Sequence, residues 1–277
     1  MRTMDAARRT PAGTAAGTTI ASLSFWRRFT RLYIAGLLGI AALPIALLPL
    51  LRMSEAQLPM SVPVATALAL IQPAVLLAAA VALGCTLAHK LQLKSLLANA
   101  VDVAGFWRSL RPQLIASLAL GAAGGAVVLM LDQLIFKLVM PAWFAKAAAL
   151  EPNPWTGLVV GVLYGGITEE LLLRWGLMSL LAWALWKLVR RRHVLPGNAV
   201  MLTAMVLAAL LFGLGHLPAA AQIAPLDALS TTRVLLLNFI SGVVSGWLFW
   251  RWHLEAAMLA HMGAHLAFFI VRVAGLT

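Results

Sequence analysis

Gly165-Gly166-Ile167-Thr168-Glu169-Glu170-Leu171-Leu172-Leu173-Arg174 decides how the chain folds. Two adjacent carboxylates and a guanidinium stand inside apolar sequence that runs from Trp155 to Trp186. One charged side chain at the centre of a membrane helix costs about 2.5–3.5 kcal/mol on the lowest scale, so it is kept only with compensation or a task. Gly157, Gly161, Gly165 and Glu169 recur at intervals of four and predict a single helical face. Small residues at that spacing admit a second helix closely, which turns Glu169 towards protein rather than lipid. Glu170 lies about 100° further round, one turn from Arg174, at the spacing of an ion pair.

The rest of the sequence has the same character. Of 277 residues, 62% are hydrophobic and 11% charged, and the apolar runs repeat at lengths of about 20 residues. This predicts an all-α, polytopic transmembrane helical bundle with seven or eight membrane-spanning helices, and leaves no long polar segment for a soluble domain. The net charge of +12, from 21 Lys and Arg against 9 Asp and Glu, would suggest nucleic acid in a soluble chain. Here the basic residues flank apolar runs, where they orient helices and meet anionic headgroups, and no basic stripe is interleaved with aromatics. The expected partner is therefore the lipid bilayer and not nucleic acid. The single cysteine, Cys85, rules out an internal disulfide and reads as core packing.

Three regions follow from this patterning. Residues 1–24 form a basic, flexible N-terminal tail with arginines at 2, 8 and 9 and no compact apolar core of a cleavable signal peptide. Residues 25–154 carry the N-terminal transmembrane helices: an interfacial collar of Trp26, Arg27, Arg28 and Arg31, then spans over 32–51, 63–88 and 112–139. Pro44 and Pro49 bend the first of these, and residues 89–112 form a basic loop. Residues 155–277 form the third region, with further spans over 198–217, 232–250 and 255–273. Its first part, 155–192, is either one long helix or two segments broken near Arg174. The cluster Lys187, Arg190, Arg191 and Arg192 joins the other basic segments on the cytoplasmic side only if this part crosses once, which favours one long, tilted or bent helix.

Of the acidic residues only Asp132, Glu169 and Glu170 fall within spans, since Glu151, Asp227, Glu255 and the others sit in tails, loops or span ends. Asp132 has no partner in view and is expected to face a loop. Among the histidines, His89, His193 and His253 occupy basic or interfacial turns, whereas His216, His261 and His265 lie in apolar helices. Phe212 and His216 share a face, with Gly213 and Gly215 keeping that helix thin. His261 and His265 repeat the same spacing beside Ala257, Ala260 and Ala264. Separate helices thus each present ionisable groups beside small residues, which predicts a shared polar cavity.

Glu169-Glu170-Leu-Leu-Leu-Arg174, then Phe212-Gly-Leu-Gly-His216, then His261-Met-Gly-Ala-His265 resembles the EExxxR, FxxxH and HxxxN motifs of the CPBP family. That intramembrane metalloprotease-like group contains CAAX prenyl endopeptidases and bacterial bacteriocin-processing or immunity proteins. The resemblance covers about residues 155–275. It implies an intramembrane endopeptidase, a hydrolase in which Glu169 and His216 activate a water and His261 helps to stabilise the oxyanion. Glu170, Arg174 and Phe212 would support the site, with Glu170 and Arg174 holding helix position or charge balance. His265 stands where the family has Asn or Asp; a histidine can still donate a hydrogen bond, and the same change fits a member with altered activity.

The residues leave a metal open. His261 and His265 offer two nitrogens on one face, and Glu169 or His216 would complete a zinc set, so the candidate ligands are Glu169, His216, His261 and His265. The zincin signature needs Glu directly after its first His, and Met262 stands there instead. No firmly bound cofactor is expected; zinc is the alternative. The non-enzymatic alternative is a membrane binding or bacteriocin-immunity protein that uses the same cavity for recognition. Loss of peptide hydrolysis in Glu169→Ala, with Asp227→Ala as the distal control, separates the two. The expected substrate is a membrane-associated peptide or protein. The Ala- and Arg-rich composition suggests a multi-pass protein of a bacterial inner membrane with its N-terminus cytoplasmic.

Overall fold

The computed structural model describes residues 24–53, 55–150, 153–189 and 195–276. Most of the expected tail, together with Glu151, Arg190, Arg191, Arg192 and His193, lies outside the described residues. All regular structure among the described residues is helical. A bilayer demands this, because a helix satisfies its own backbone where no water can.

The first span is α1 (Phe25–Ile40) followed by α2 (Leu43–Met53). Its break falls where expected, since Pro44 has no N–H for the carbonyl of Ile40. The second span is α3 (Val62–Leu87), and α4 (Leu96–Asn99) is one turn in the basic loop. The third comprises α5 (Val103–Leu131), the wide turn π1 (Asp132–Phe136) and α6 (Lys137–Val139). It begins nine residues before the expected Pro112, because Asp102 caps it by accepting from the Gly105 N–H at 2.6 Å; Arg108 and Arg111 are thereby helical and not in a loop. After α7 (Pro141–Leu150), the fourth span runs without interruption through α8 (Pro154–Val160), π2 (Gly161–Glu169), π3 (Leu171–Met178) and α9 (Ser179–Val189). The two-segment alternative is therefore not what the chain does. The last spans are α10 (Asn198–Ala221), α11 (Ala228–Arg251) and α12 (Leu254–Val273). Seven stretches among the described residues are long and apolar enough to cross a membrane, and the protein is a multi-pass helical bundle.

Two crossings fix the site. On α5, Gly121 and Gly125 form the small-xxx-small spacing that lets backbones touch. A Cβ on Gly125 would stand 2.9 Å from the Cα of Ala264, and one on Gly121 would collide with Ala260, so α12 lies directly along this face. On the other side, α1 packs on π2: Thr168 donates its hydroxyl to the Gly36 carbonyl at 2.7 Å, and Gly39 faces Leu163. The core between α1, α3 and π3 is closed by Leu32, Leu77, Val81, Leu171 and Met178, all fully buried. Outward side chains such as Ile115, Leu138 and Ile270 are exposed, as an apolar solvent around the bundle requires.

Candidate active site

Glu169 ends π2 and Glu170 follows it, so the two carboxylates leave the helix in different directions. Glu169 keeps 18% exposure and lines a cavity. Glu170 is fully buried and does not line it. The π winding, with its wider i→i+5 turn, is a feature that recurs at functional sites.

Around Glu170 the expected ion pair is present, and it carries a third member. Glu170 Oε2 lies 3.2 Å from Arg174 Nε, a close ion pair whose angle is not that of an aligned hydrogen bond. Its other oxygen, Oε1, accepts from His261 Nδ1 at 2.7 Å. Arg174 donates through Nη2 to the Gly242 carbonyl at 3.0 Å and lies over the Phe212 ring at 5.3 Å. One carboxylate therefore ties the fourth span to α12, and through Arg174 to α10 and α11.

The cavity has a volume of about 390 Å³. Gly157, Gly161, Gly165 and Glu169, the face read from spacing, all line it, opposite Phe212 and His216 from α10 and His261 and His265 from α12. The close approach takes place at Gly161, whose Cβ would collide with the His265 ring, and at Gly165, whose Cβ would stand 3.0 Å from His261 Nε2. Gly157 has nothing within 4 Å. Every residue singled out as catalytic thus reaches one space.

Each histidine has a distinct setting. His216 Nδ1 donates to the Phe212 carbonyl at 2.9 Å, because a carbonyl only accepts; the neutral ring then keeps a lone pair on Nε2. With Nδ1 committed to Glu170, His261 turns Nε2 towards Glu169, at 3.8 Å from Oε2. His265 stacks on His261, ring centroids 5.1 Å apart and planes within 8°. Among the described residues no hydrogen bond joins His216 to Glu169.

This stacking bears on the metal alternative. Zinc needs three or four lone pairs aimed at one point about 2.0–2.2 Å from each donor. In-plane lone pairs of parallel rings do not converge, and among the described residues no three His, Cys, Asp or Glu side chains are arranged to hold a metal ion. In this arrangement the residues do not fit a zinc site.

One expectation about the acidic residues is corrected. Asp132 does not face a loop without a partner: its two oxygens accept from Arg233 Nε and Nη2 at 2.6 and 2.8 Å. The partner lies on another helix, out of reach of any local spacing rule. Glu255 does stand at a span end, in the first turn of α12, and there it is buried and accepts from the Ser95 hydroxyl and the Leu96 and Leu97 N–H groups at 2.7–2.9 Å. Four polar wall residues were missed: Thr156 and Tyr164 on the fourth span, and Asn238 and Ser241 on α11, the last two being the pair with a readable spacing. A search for uncharged polar residues three apart inside an apolar span would have found that pair.

Residues 151–267 match the family described as type II CAAX prenyl endopeptidase Rce1-like. No curated protein and no solved structure matches the chain. The matched stretch carries all three motifs and every candidate residue, and over these residues the chain is similar to the CPBP/CAAX protease family of intramembrane endopeptidases.

Proposed function

We propose that the protein is a membrane-embedded endopeptidase in which Glu169 and His216 activate a water and His261 and His265 bind the oxyanion. The observation that supports this most is the convergence of these four side chains on one cavity. Water held between the Glu169 carboxylate and the His216 Nε2 lone pair gives up a proton to Glu169 as its oxygen attacks the peptide carbonyl. The carbonyl oxygen becomes negative and takes hydrogen bonds from His261 and His265, each such donor contributing about 2.7–4 kcal/mol. Glu169 then passes its proton to the amide nitrogen as the C–N bond breaks, leaving a carboxylic acid and an amine, and the acid's remaining proton moves to the amine to give a carboxylate and an ammonium group.

Glu170 is a positioning residue in this scheme. Its bond to His261 Nδ1 fixes the ring, so Nε2 donates to the oxyanion only when that ring is doubly protonated. The negative charge on Glu170 stands beside it for that purpose. The departure at 265 keeps a donor in place, in a ring stacked on His261. The mechanism needs no group beyond these side chains and water.

The substrate would be a membrane-associated peptide or protein, since the cavity lies between spans. Charge placement supports a cytoplasmic N-terminus: with seven crossings, Arg27, Arg28, Arg31, Lys90, Lys94, Arg108, Arg111, Lys187 and Arg251 share its side and outnumber Arg52, Lys137, Lys146, Arg233 and Arg272 opposite.

The test uses purified protein in lipid nanodiscs with internally quenched apolar peptides. Wild type should hydrolyse a subset, and Glu169→Gln should lose about 10²–10⁴-fold in rate. Asp227→Ala is not a clean control, because Asp227 and Ser230 form the capping box of α11; exposed Glu55→Gln takes its place. Peptide retained by the Glu169→Gln protein without hydrolysis by wild type would instead favour the binding or immunity reading.

A further inference from the structure

Beside the site a second chamber of about 300 Å³ opens. Its walls share His216, Asn238, Ser241 and Phe268 with the first cavity, so the two spaces adjoin along these four side chains, with Glu169 in one and Arg233 in the other. We infer that this chamber is a side-chain subsite for the peptide, selecting a large apolar residue and rejecting a charged one. The inference rests on the endopeptidase reading above.

The remaining wall is apolar: Val128, Trp143, Ala220, Ile223, Val234 and Leu237. Its one charge is already answered. Arg233 gives Nε and Nη2 to both oxygens of Asp132 at 2.6 and 2.8 Å, and its guanidinium carbon lies 4.2 Å over the Trp143 ring and 5.1 Å over that of Phe144. A cation used bidentately and covered on its flat face offers little to a second carboxylate. A basic side chain would find the Asp132 oxygens likewise occupied. What the chamber can read is size and apolarity.

The junction of the two chambers is polar, as a peptide backbone requires. Asn238 donates through Nδ2 to the Val234 carbonyl at 2.8 Å, which anchors the side chain. Its Oδ1 and second N–H are left for the amide groups of a chain passing from one chamber to the other. The scissile bond would lie at Glu169 and a neighbouring side chain would enter between α10 and α11.

The experiment is a positional-scanning library of quenched peptides, read with protein in nanodiscs of phosphatidylethanolamine and phosphatidylglycerol. Wild type should show one position at which large apolar residues are cleaved about tenfold or more faster than Ala, Asp or Lys. Ala220→Leu and Leu237→Trp, which fill the chamber, should turn that position alone towards Ala. Asp132→Asn, which frees the guanidinium, should raise cleavage of peptides with Asp or Glu there; if this variant does not fold, the filling variants carry the test. Cleavage with no position changed by any variant overturns the subsite and leaves the endopeptidase standing. So does a change in co-purifying phospholipid without a change in peptide preference, which would make the chamber an acyl-chain pocket. No hydrolysis of any member by wild type overturns both.

Discussion

Among the described residues, two carboxylate–arginine pairs within the spans, Asp132–Arg233 and Glu170–Arg174, do different work. In the Asp132–Arg233 pair both carboxylate oxygens go to one guanidinium, the two side chains stay 14–15% exposed, and the pair joins α11 to the end of α5. In the Glu170–Arg174 pair the carboxylate divides itself between a guanidinium and an imidazole, with exposures of 0% and 2%. The first is saturated and closes on itself. The second is under-bonded, Glu170 Oε2 and Arg174 Nη1 having no hydrogen-bond partner, and hands its remaining oxygen to His261. A pair that keeps an oxygen for a third group transmits position; a pair that spends both is a clasp.

The largest effect that would test this contrast is expected from Glu170→Ala. Removing one member of a buried pair leaves Arg174 uncompensated, which costs about 3–5 kcal/mol, and frees the His261 ring. Denaturant unfolding in detergent measures the first loss and peptide hydrolysis the second. Next, the joint replacement Glu170→Leu with Arg174→Met should restore stability to within about 1–2 kcal/mol, since apolar substitutes for buried pairs are often neutral. Hydrolysis should stay at least about tenfold down, because nothing then orients His261; recovery of activity would reduce the pair to a structural one. Asp132→Ala, at the part-buried clasp, should destabilise less, by about 1–2 kcal/mol in the same assay. A loss as large as that of Glu170→Ala would erase the distinction.

The smallest effect concerns a third carboxylate, at the opposite extreme of exposure. The Ser230 backbone N–H first, and the Ser230 hydroxyl with it, hold the Asp227 carboxyl below the usual carboxylate range. A carboxyl whose folded pKa is depressed stabilises fully above its unfolded pKa and loses that contribution as pH falls through the folded value. The difference in melting temperature between wild type and Asp227→Asn should therefore be constant near neutrality and shrink on acidification across roughly pH 5–3. A difference that grows on acidification contradicts this assignment.

Much of the site was legible because its signals are local. Glu170 and Arg174 announce each other one turn apart, and the glycine spacing correctly aimed Glu169 at the cavity even though the helix there is π-wound. The three histidines stood out as ionisable groups in apolar runs. Long-range pairing was not legible: nothing near Asp132 names Arg233, nothing near Glu255 names Ser95, and nothing near Glu170 names His261. Span ends were read short wherever a cap, not hydropathy, sets the boundary, as Asp102 does for α5. The crossing number followed from charge placement, which the continuous fourth span bears out.

The glycine contact between α5 and α12 bears on how the molecule can be cut. All the chemistry-bearing motifs lie after residue 151, yet the helix that bears His261 and His265 leans on Gly121 and Gly125, and Thr168 bonds to Gly36. A fragment starting where the motifs start would expose those contact faces to lipid and release the histidine helix. Shortening or swapping the earlier helices is therefore an intervention in the candidate site itself, however little their sequences advertise it.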